Sequence, residues 1–377
     1  MGQENNGQLD MTQIEQLMQQ ALEDKVFPGA VLLVSQNGQC IFHAAFGFRD
    51  FLTNPPMTTD TIFDLASLTK PLATALAVMM LVQQKKVGLD QNLGDILPAF
   101  NKDPKASIKV KHLLYHNSGL ADYKAFYKKI AHRPLEKRKA ALRKLLVKEP
   151  LVYPIGSRAV YSDIGFMILE WLVEEISGKP LDRFVSEMIY SPLGLEHLFF
   201  IDVKAGRHPG EFAATEQCPW RRQLQSGQVH DENAYVVGGV QGHAGLFGTA
   251  LDVHRLLSHL LSAYHGQPST QLFQPDMVRL FFRRWADSDK ALGFDAPSLS
   301  GSSSGKFFSR KSVGHLGFTG TSFWMDLDRG IIVILLTNRV HPTRNNEAIK
   351  LFRPKLHDEI MQVLLGSEVQ VSEAQRC

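Results

Sequence analysis

The stretch Asp64–Met80, DLASLTKPLATALAVMM, is where the reading of this chain begins. A serine and a lysine stand three apart at the mouth of a long apolar run, with Pro71 immediately behind the lysine. Residues three apart on a helix share a face, so Ser67 and Lys70 meet if a helix begins here. Proline is tolerated in a first helical turn, where its missing N–H leaves no hydrogen bond unmade. The following LATALAVMMLV is long enough for a buried helix and reads as too short to cross a bilayer. The pattern predicts a hydroxyl and an amine facing each other at a helix N-terminus, anchored by a core helix.

The rest of the chain narrows the class of protein. Its 377 residues exceed what one ordinary core supports, so two lobes, or one large domain with an insertion, are expected. With 44% hydrophobic and 21% charged residues it has the make-up of a globular, enzyme-sized protein. A net charge of +3 is too small to imply a nucleic acid or other polyanion as partner. Lysines and arginines cluster from Lys124 to Lys148, but Leu, Ala and Val interleave at helical spacing, which is the pattern of a solvated helix face. Cys40, Cys218 and Cys377 are odd in number and far apart, indicating neither a disulfide framework nor a zinc site. No His, Cys and Asp cluster has ligand spacing, so no metal and no organic cofactor are expected. The N-terminal MGQENNGQLD lacks a basic region and an apolar core, which predicts a cytoplasmic protein, or a periplasmic one if a signal has been cut away. Gly2 invites a myristoylation reading, which Asn6 opposes by standing where that motif wants Ser or Thr.

Along the chain, an amphipathic helix opens the sequence. PGAVLLVSQNGQCIFHAAFGF then reads as a hairpin, Val31–Ser35 and Cys40–Ala44 flanking an Asn37-Gly38 turn. A second hairpin, FTGTSFWMDLDRGIIVILLTN, lies near the other end. Between them helical patterns dominate, including Gly165–Ile176 and Leu256–Tyr264, without the regular alternation of a parallel sheet. The expected fold is therefore α/β of the α+β sandwich type, with an antiparallel sheet from both chain ends flanked by helices. Residues 1–90 with 265–377 would form that lobe, and 91–264 a mostly helical lobe. PSLSGSSSG, 297–305, reads as a flexible surface loop.

Three choices between competing motifs locate the chemistry. Ser303 and Lys306 also match Ser-x-x-Lys, but no helix follows them, so Ser67 keeps the candidacy as nucleophile, against a simple helix-cap role. A serine hydroxyl needs a base, which Lys70 supplies directly or through a tyrosine. Tyr115-His116-Asn117 runs into Ser-Gly and reads as a loop. Tyr161-Ser162-Asp163 follows the turn Pro154-Ile155-Gly156 and opens an apolar helix, although Asp163 could simply cap it and Tyr161 simply pack. Of the two Gly-His-x-Gly stretches, that at 314–317 runs into strands and that at 242–245 into a helix near Thr249. His315 is thus the better site residue, and His243 a structural histidine.

In this order, Ser67-Leu68-Thr69-Lys70, Tyr161-Ser162-Asp163 and His315-Leu316-Gly317 resemble the three signatures of the serine β-lactamase and penicillin-binding-protein superfamily, most nearly its class C-like branch of esterases and D-alanyl peptidases. The likeness spans roughly residues 25 to 345, and its ordered set of motifs is more specific than any one of them. It implies a cleft between a sheet lobe and a helical lobe. It implies Ser67 as the acylated nucleophile, Lys70 and Tyr161 as the proton-transfer pair, and Asp163 orienting lysine and substrate. His315 and Gly317 would line the substrate site, and the N–H groups of Ser67 and Phe318 would form the oxyanion hole. The residues themselves argue that a lysine in a tight polar cluster is tuned towards a usable base.

Two departures from the family pattern bear on substrate. Asp163 replaces the common asparagine, adding a carboxylate that can pair with Lys70 and raise its pKa. His315 replaces lysine and is only partly charged at neutral pH, which weakens recognition of a substrate carboxylate and favours neutral esters. Arg344, Asn345 and Asn346 could restore a carboxylate site, or merely cap the next helix. The expected activity is an esterase-type serine hydrolase acting on a small-molecule ester or amide. The alternatives are a D-alanyl-D-alanine carboxypeptidase or β-lactamase, and a binding module without turnover. Oligomeric state is left open.

Overall fold

Strands from both ends of the chain meet in one sheet. The computed structural model describes residues 10–205, 210–267, 270–286 and 288–374. Strands β1 (Gly29–Gln36) and β2 (Gln39–Gly47) form the N-terminal hairpin. Asn37 and Gly38 both take positive φ, 51° and 81°, the twist a two-residue hairpin turn requires. Short strands β3 (Phe63–Asp64), β4 (Leu198–Phe200), β5 (Gln217–Cys218), β6 (Gln223–Leu224) and β7 (Leu246–Gly248) follow. Then come β8 (Val313–Leu316), β9 (Ser322–Asp326) and β10 (Ile331–Thr337). The main sheet has the order β2-β1-β10-β9-β8, with every neighbouring pair antiparallel.

Alternation along β1 and β10 explains why helices cover both faces of this sheet. Val31, Leu33, Ile332, Ile334 and Leu336 point into one core, shared with the helices Leu76–Gln83, Asp163–Ser177 and Ala250–Tyr264. Ala30, Leu32, Val34, Ile331, Val333 and Leu335 point into another, closed by the helices Thr12–Glu23 and Ile349–Ala374. Burial on two sides is why these strands read as continuous apolar runs. Each fully buried Val, Leu or Ile contributes roughly 1.5–3 kcal/mol.

The run behind Ser67 is not one regular helix. It begins as a 3₁₀ turn, Ala66–Leu68, widens into a π turn over Lys70–Ala75, and becomes α-helical at Leu76–Gln83. Wide turns of this kind recur at functional sites. By length and composition the 18 residues Ala66–Gln83 could cross a bilayer, contrary to the reading of that run as too short, but 83% of them are buried inside the protein. That is the position of a core helix.

The basic segment forms the helices Tyr127–Ile130 and Leu135–Lys148, the latter burying Leu142 and Leu146. Two of its cations reach the neighbouring helix, Lys139 to Glu170 and Glu174, and Arg143 to Glu174. The Ser/Gly-rich loop is exposed at Leu299 but pinned further on: His357 Nδ1 bonds the Ser303 carbonyl at 2.7 Å, and Ser304 is buried. Cys40 and Cys218 are free thiols. Met1–Leu9 and Cys377 lie outside the described residues, and with them the Gly2 reading.

Candidate active site

The turn that carries Ser67 is held by polar contacts from three directions. Ala66 sits at φ 47°, in the left-handed region that a side chain rarely takes, immediately before the serine. The buried carboxylate of Asp64 accepts the Ala66 N–H at 2.9 Å through Oδ1 and the His230 N–H at 2.6 Å through Oδ2. From the β8–β9 turn, Thr319 Oγ1 donates to the Asp64 carbonyl at 2.8 Å and Thr321 Oγ1 to the Leu65 carbonyl at 3.0 Å. From β7, the Leu246 carbonyl accepts the Leu65 N–H. Gly317 is required by this close approach, because a Cβ there would lie 1.9 Å from Thr321 Oγ1 and 2.7 Å from the Leu65 carbonyl oxygen.

Lys70 is fully buried, and its Nζ has acceptors around it: Asp163 Oδ1 at 2.7 Å, Ser67 Oγ at 3.1 Å and the His243 carbonyl at 3.2 Å. The Tyr161 side chain lies alongside, the Lys70 ammonium being 4.7 Å from the centre of the tyrosine ring. Burial disfavours the lysine's charge, but the Asp163 carboxylate and the Tyr161 phenol outweigh it and hold its pKa above the ordinary lysine value. Burial likewise pushes the Tyr161 phenol up, against the pull of Lys70. The resting site is therefore ammonium, phenol and carboxylate. The expectation that the cluster tunes Lys70 towards a free base is corrected, and the expected Lys70–Asp163 pairing is what the structure contains.

Asp163 is free to make this pair because it does not cap its helix. Ser162 is the cap of Asp163–Ser177, its hydroxyl accepting the Gly165 N–H at 3.2 Å. Beneath Tyr161 lies His116, rings 4.8 Å apart, whose Nδ1 accepts the Ser162 N–H at 3.0 Å. Burial holds His116 well below the usual histidine range. The rejected Tyr115 points elsewhere, its hydroxyl towards the Arg283 carbonyl. Its neighbour His116 is nonetheless part of the site, which the motif comparison missed.

His315 stands on the other side, its ring 6.1 Å from that of Tyr161. It is 1% exposed, and burial takes its pKa to about 4, the nearby Asp295 carboxylate only partly opposing this. Expected to be partly charged at neutral pH, it is instead neutral there. Its Nδ1 donates to the Leu316 carbonyl at 2.9 Å, so the buried Nε2 is a bare acceptor. Phe318 is exposed at the rim, its carbonyl taken by Arg339 and its ring stacked on His230 at 5.6 Å. Among the described residues the Ser67 and Phe318 N–H groups have no hydrogen-bond acceptor.

Arg344 does not supply a free cation. It bonds Glu216 through Nε and Nη2 and Glu232 through Nη2, at 2.5 to 2.9 Å. Asn346 Oδ1 accepts the Ala348 N–H, a cap-like contact. The stretch dismissed as structural, Gly242–Gly245, enters the site through its backbone: the His243 carbonyl meets Lys70, and β7 pairs with β3 beside the Ser67 turn. A carbonyl has no side-chain signature, so nothing in the pattern could have singled it out.

The same set of elements is found in solved proteins. The chain superposes on EstCE1, a hydrolase with promiscuous acyltransferase activity, with a TM-score of 0.70 at 22% identity, over 91% of this chain and 98% of that one. On the octameric penicillin-binding protein homologue from Pyrococcus abyssi the TM-score is 0.73 at 20% identity, over 95% and 78%. These likenesses speak for the fold. By sequence it is 37% identical to N-acetylmuramyl-L-alanine amidase of Bacillus subtilis (strain 168), over 84% of this chain and 78% of that protein. It is 33% identical to "Putative D-alanyl-D-alanine carboxypeptidase" of Escherichia coli (strain K12), over 84% and 80%. Residues 14–353 match the Beta-lactamase family model, and a chain that carries this match on a sheet of both termini, with a serine and lysine at one helix start, belongs to the beta-lactamase family of serine hydrolases.

Proposed function

We propose that this serine hydrolase is an esterase acting through an acyl-enzyme on Ser67, and that its substrates need no carboxylate. The observation that carries the reading is Ser67 Oγ, 3.1 Å from Lys70 Nζ, with the Tyr161 ring alongside that lysine and a third motif whose histidine is uncharged. For Lys70 to act as base, its extra proton crosses the 2.7 Å contact to Asp163 when substrate excludes water, since burial penalises the charged pair. The neutral amine then takes the Ser67 proton, directly or through the Tyr161 hydroxyl, while Oγ bonds the ester carbon. The oxyanion is received by the Ser67 and Phe318 N–H groups. Collapse breaks the bond to the alkoxide, which leaves with the proton from Lys70. Water repeats the sequence on the acyl-serine and releases the acid.

The D-alanyl peptidase reading draws support from the names of the sequence relatives. Against it stand the neutral His315 and an Arg344 already engaged by Glu216 and Glu232. The test is hydrolysis of a short-chain p-nitrophenyl ester by wild type and Ser67→Ala, with a fluorophosphonate label located by mass spectrometry. Loss of turnover and of label at Ser67 supports the assignment; wild-type turnover by Ser67→Ala removes it.

A further inference from the structure

Tyr161 stands on chain that has no regular structure of its own. Residues 149–162 form neither helix nor strand, so whatever fixes the phenol must come from elsewhere. It comes from the segment 116–119, just past the helix Val110–Leu114. The carbonyls of that segment take N–H groups from the tyrosine's stretch one after another: Gly119 from Val152 at 2.7 Å, Asn117 from Gly156 at 2.8 Å and His116 from Val160 at 2.7 Å. His116 also uses its side chain, Nδ1 accepting the Ser162 N–H at 3.0 Å. The residues on either side of Tyr161 are thus both bonded to one histidine, one through its carbonyl and one through its ring.

The ring is itself held firmly. It packs on Tyr161 at 4.8 Å, with 29° between the planes, and on Phe166 of the helix Asp163–Ser177 at 5.0 Å. The Lys70 ammonium lies 4.7 Å from the centre of the tyrosine ring and 5.7 Å from that of Phe166, so the three rings and the lysine form one packed group. His116 is buried, and its backbone takes φ 57°, in the left-handed region. A non-glycine residue there costs free energy, and such strain collects at functional sites. Only a neutral imidazole can accept the Ser162 N–H, which places the ring proton on Nε2. Burial, which holds His116 well below the usual histidine range, keeps that acceptor available.

Resting on the reading of Tyr161 as a proton relay, we infer that His116 is the positioning residue for that tyrosine, setting the phenol towards Ser67 and Lys70 through the Ser162 N–H bond and the stacked ring. His116 hands on no proton itself. Its influence on acylation runs wholly through Tyr161, and it is large because a misplacement of about 1 Å costs on the order of a hundredfold in rate.

The experiment is a double-mutant cycle read in the acylation burst of a short-chain p-nitrophenyl ester. His116→Phe keeps a ring and loses the acceptor; it is expected to slow acylation by about tenfold or more while the half-saturating ester concentration stays put. In the Tyr161→Phe background the same substitution should cost less than about twofold, since no relay is left to misplace. His116→Asn, whose Oδ1 stands where Nδ1 stood and whose backbone accepts the left-handed region, should recover most of the rate lost in His116→Phe. Should the variants misfold, nitrogen NMR of the wild-type imidazoles decides, His116 being expected as the Nε2–H tautomer. A wild-type rate in His116→Phe, equal losses in both backgrounds, an Asn variant no faster than the Phe variant, or an Nδ1–H tautomer overturns the inference and leaves the tyrosine relay standing. A wild-type rate in Tyr161→Phe overturns the relay reading and this inference with it.

Discussion

Lys70 Nζ and Asp163 Oδ1 stand 2.7 Å apart in a pocket where the lysine is fully buried, so the group suited to act as base rests as one half of an ion pair. The carboxylate sits where the family commonly has a neutral amide. On the acylation route proposed above, it is the group that receives the proton Lys70 gives up.

Asp163→Asn is expected to move the pH profile. Activity that needs the neutral amine rises with pH through the Lys70 pKa, which burial lowers and Asp163 more than restores. Without the carboxylate that pKa falls, so the rising limb of kcat/KM should shift to lower pH, while kcat drops for want of a proton acceptor. A rising limb that stays in place would show that Asp163 does not set the base.

Tyr161→Phe should lower the acylation rate by roughly a hundredfold, the scale of general acid–base catalysis. Tyr115→Phe should leave that rate near the wild-type value, because the Tyr115 hydroxyl faces the Arg283 carbonyl. Stopped-flow measurement of the ester burst separates acylation from deacylation. The reverse pattern would mean the other tyrosine motif carries the proton.

His315 and His116 should contribute no step to kcat/KM for a neutral ester or a penicillin between about pH 5 and 8, since burial takes His315 to about 4 and holds His116 well below its usual range. His315→Lys should improve the penicillin relative to the ester, a buried ammonium near Asp295 being able to meet a carboxylate. Identical ratios in the two proteins would remove position 315 from carboxylate recognition.

Stability should fall as pH drops from about 6.5 towards 4. The pKa of His357 is lowered by burial from 6.5 to about 4. In that window the unfolded chain binds the proton and the folded one does not, so stability rises with pH. The effect is on the order of 3 kcal/mol per such histidine. His357→Gln should flatten the dependence of urea midpoint on pH in this range. Glu216 and Asp295, both near 2, act lower, their contribution being lost as pH falls below the ordinary carboxylate range. An unaltered slope in His357→Gln would contradict the assignment.

Much of the frame was legible because its causes are local. A three-residue spacing brings Ser67 to Lys70 through one helical turn, whatever surrounds them. The Asn37-Gly38 turn and the alternation in β1 and β10 define the hairpins and two buried faces from neighbouring residues alone. The order of three motifs was enough to indicate the family and its serine chemistry.

What the sequence by itself determined, then, was which side chains could do chemistry and which secondary structure carries them. Tertiary structure alone decided their protonation and partners. Ser162 rather than Asp163 caps the helix, leaving the carboxylate to Lys70. Burial makes His315 neutral, the His243 carbonyl becomes a lysine ligand, and Asp64, Thr319 and Thr321 clamp the Ser67 turn. The physical reason is that spacing along a helix is set by backbone geometry within a few residues. Proton affinity depends on desolvation and on charges brought from far along the chain, and neither exists until the chain has folded.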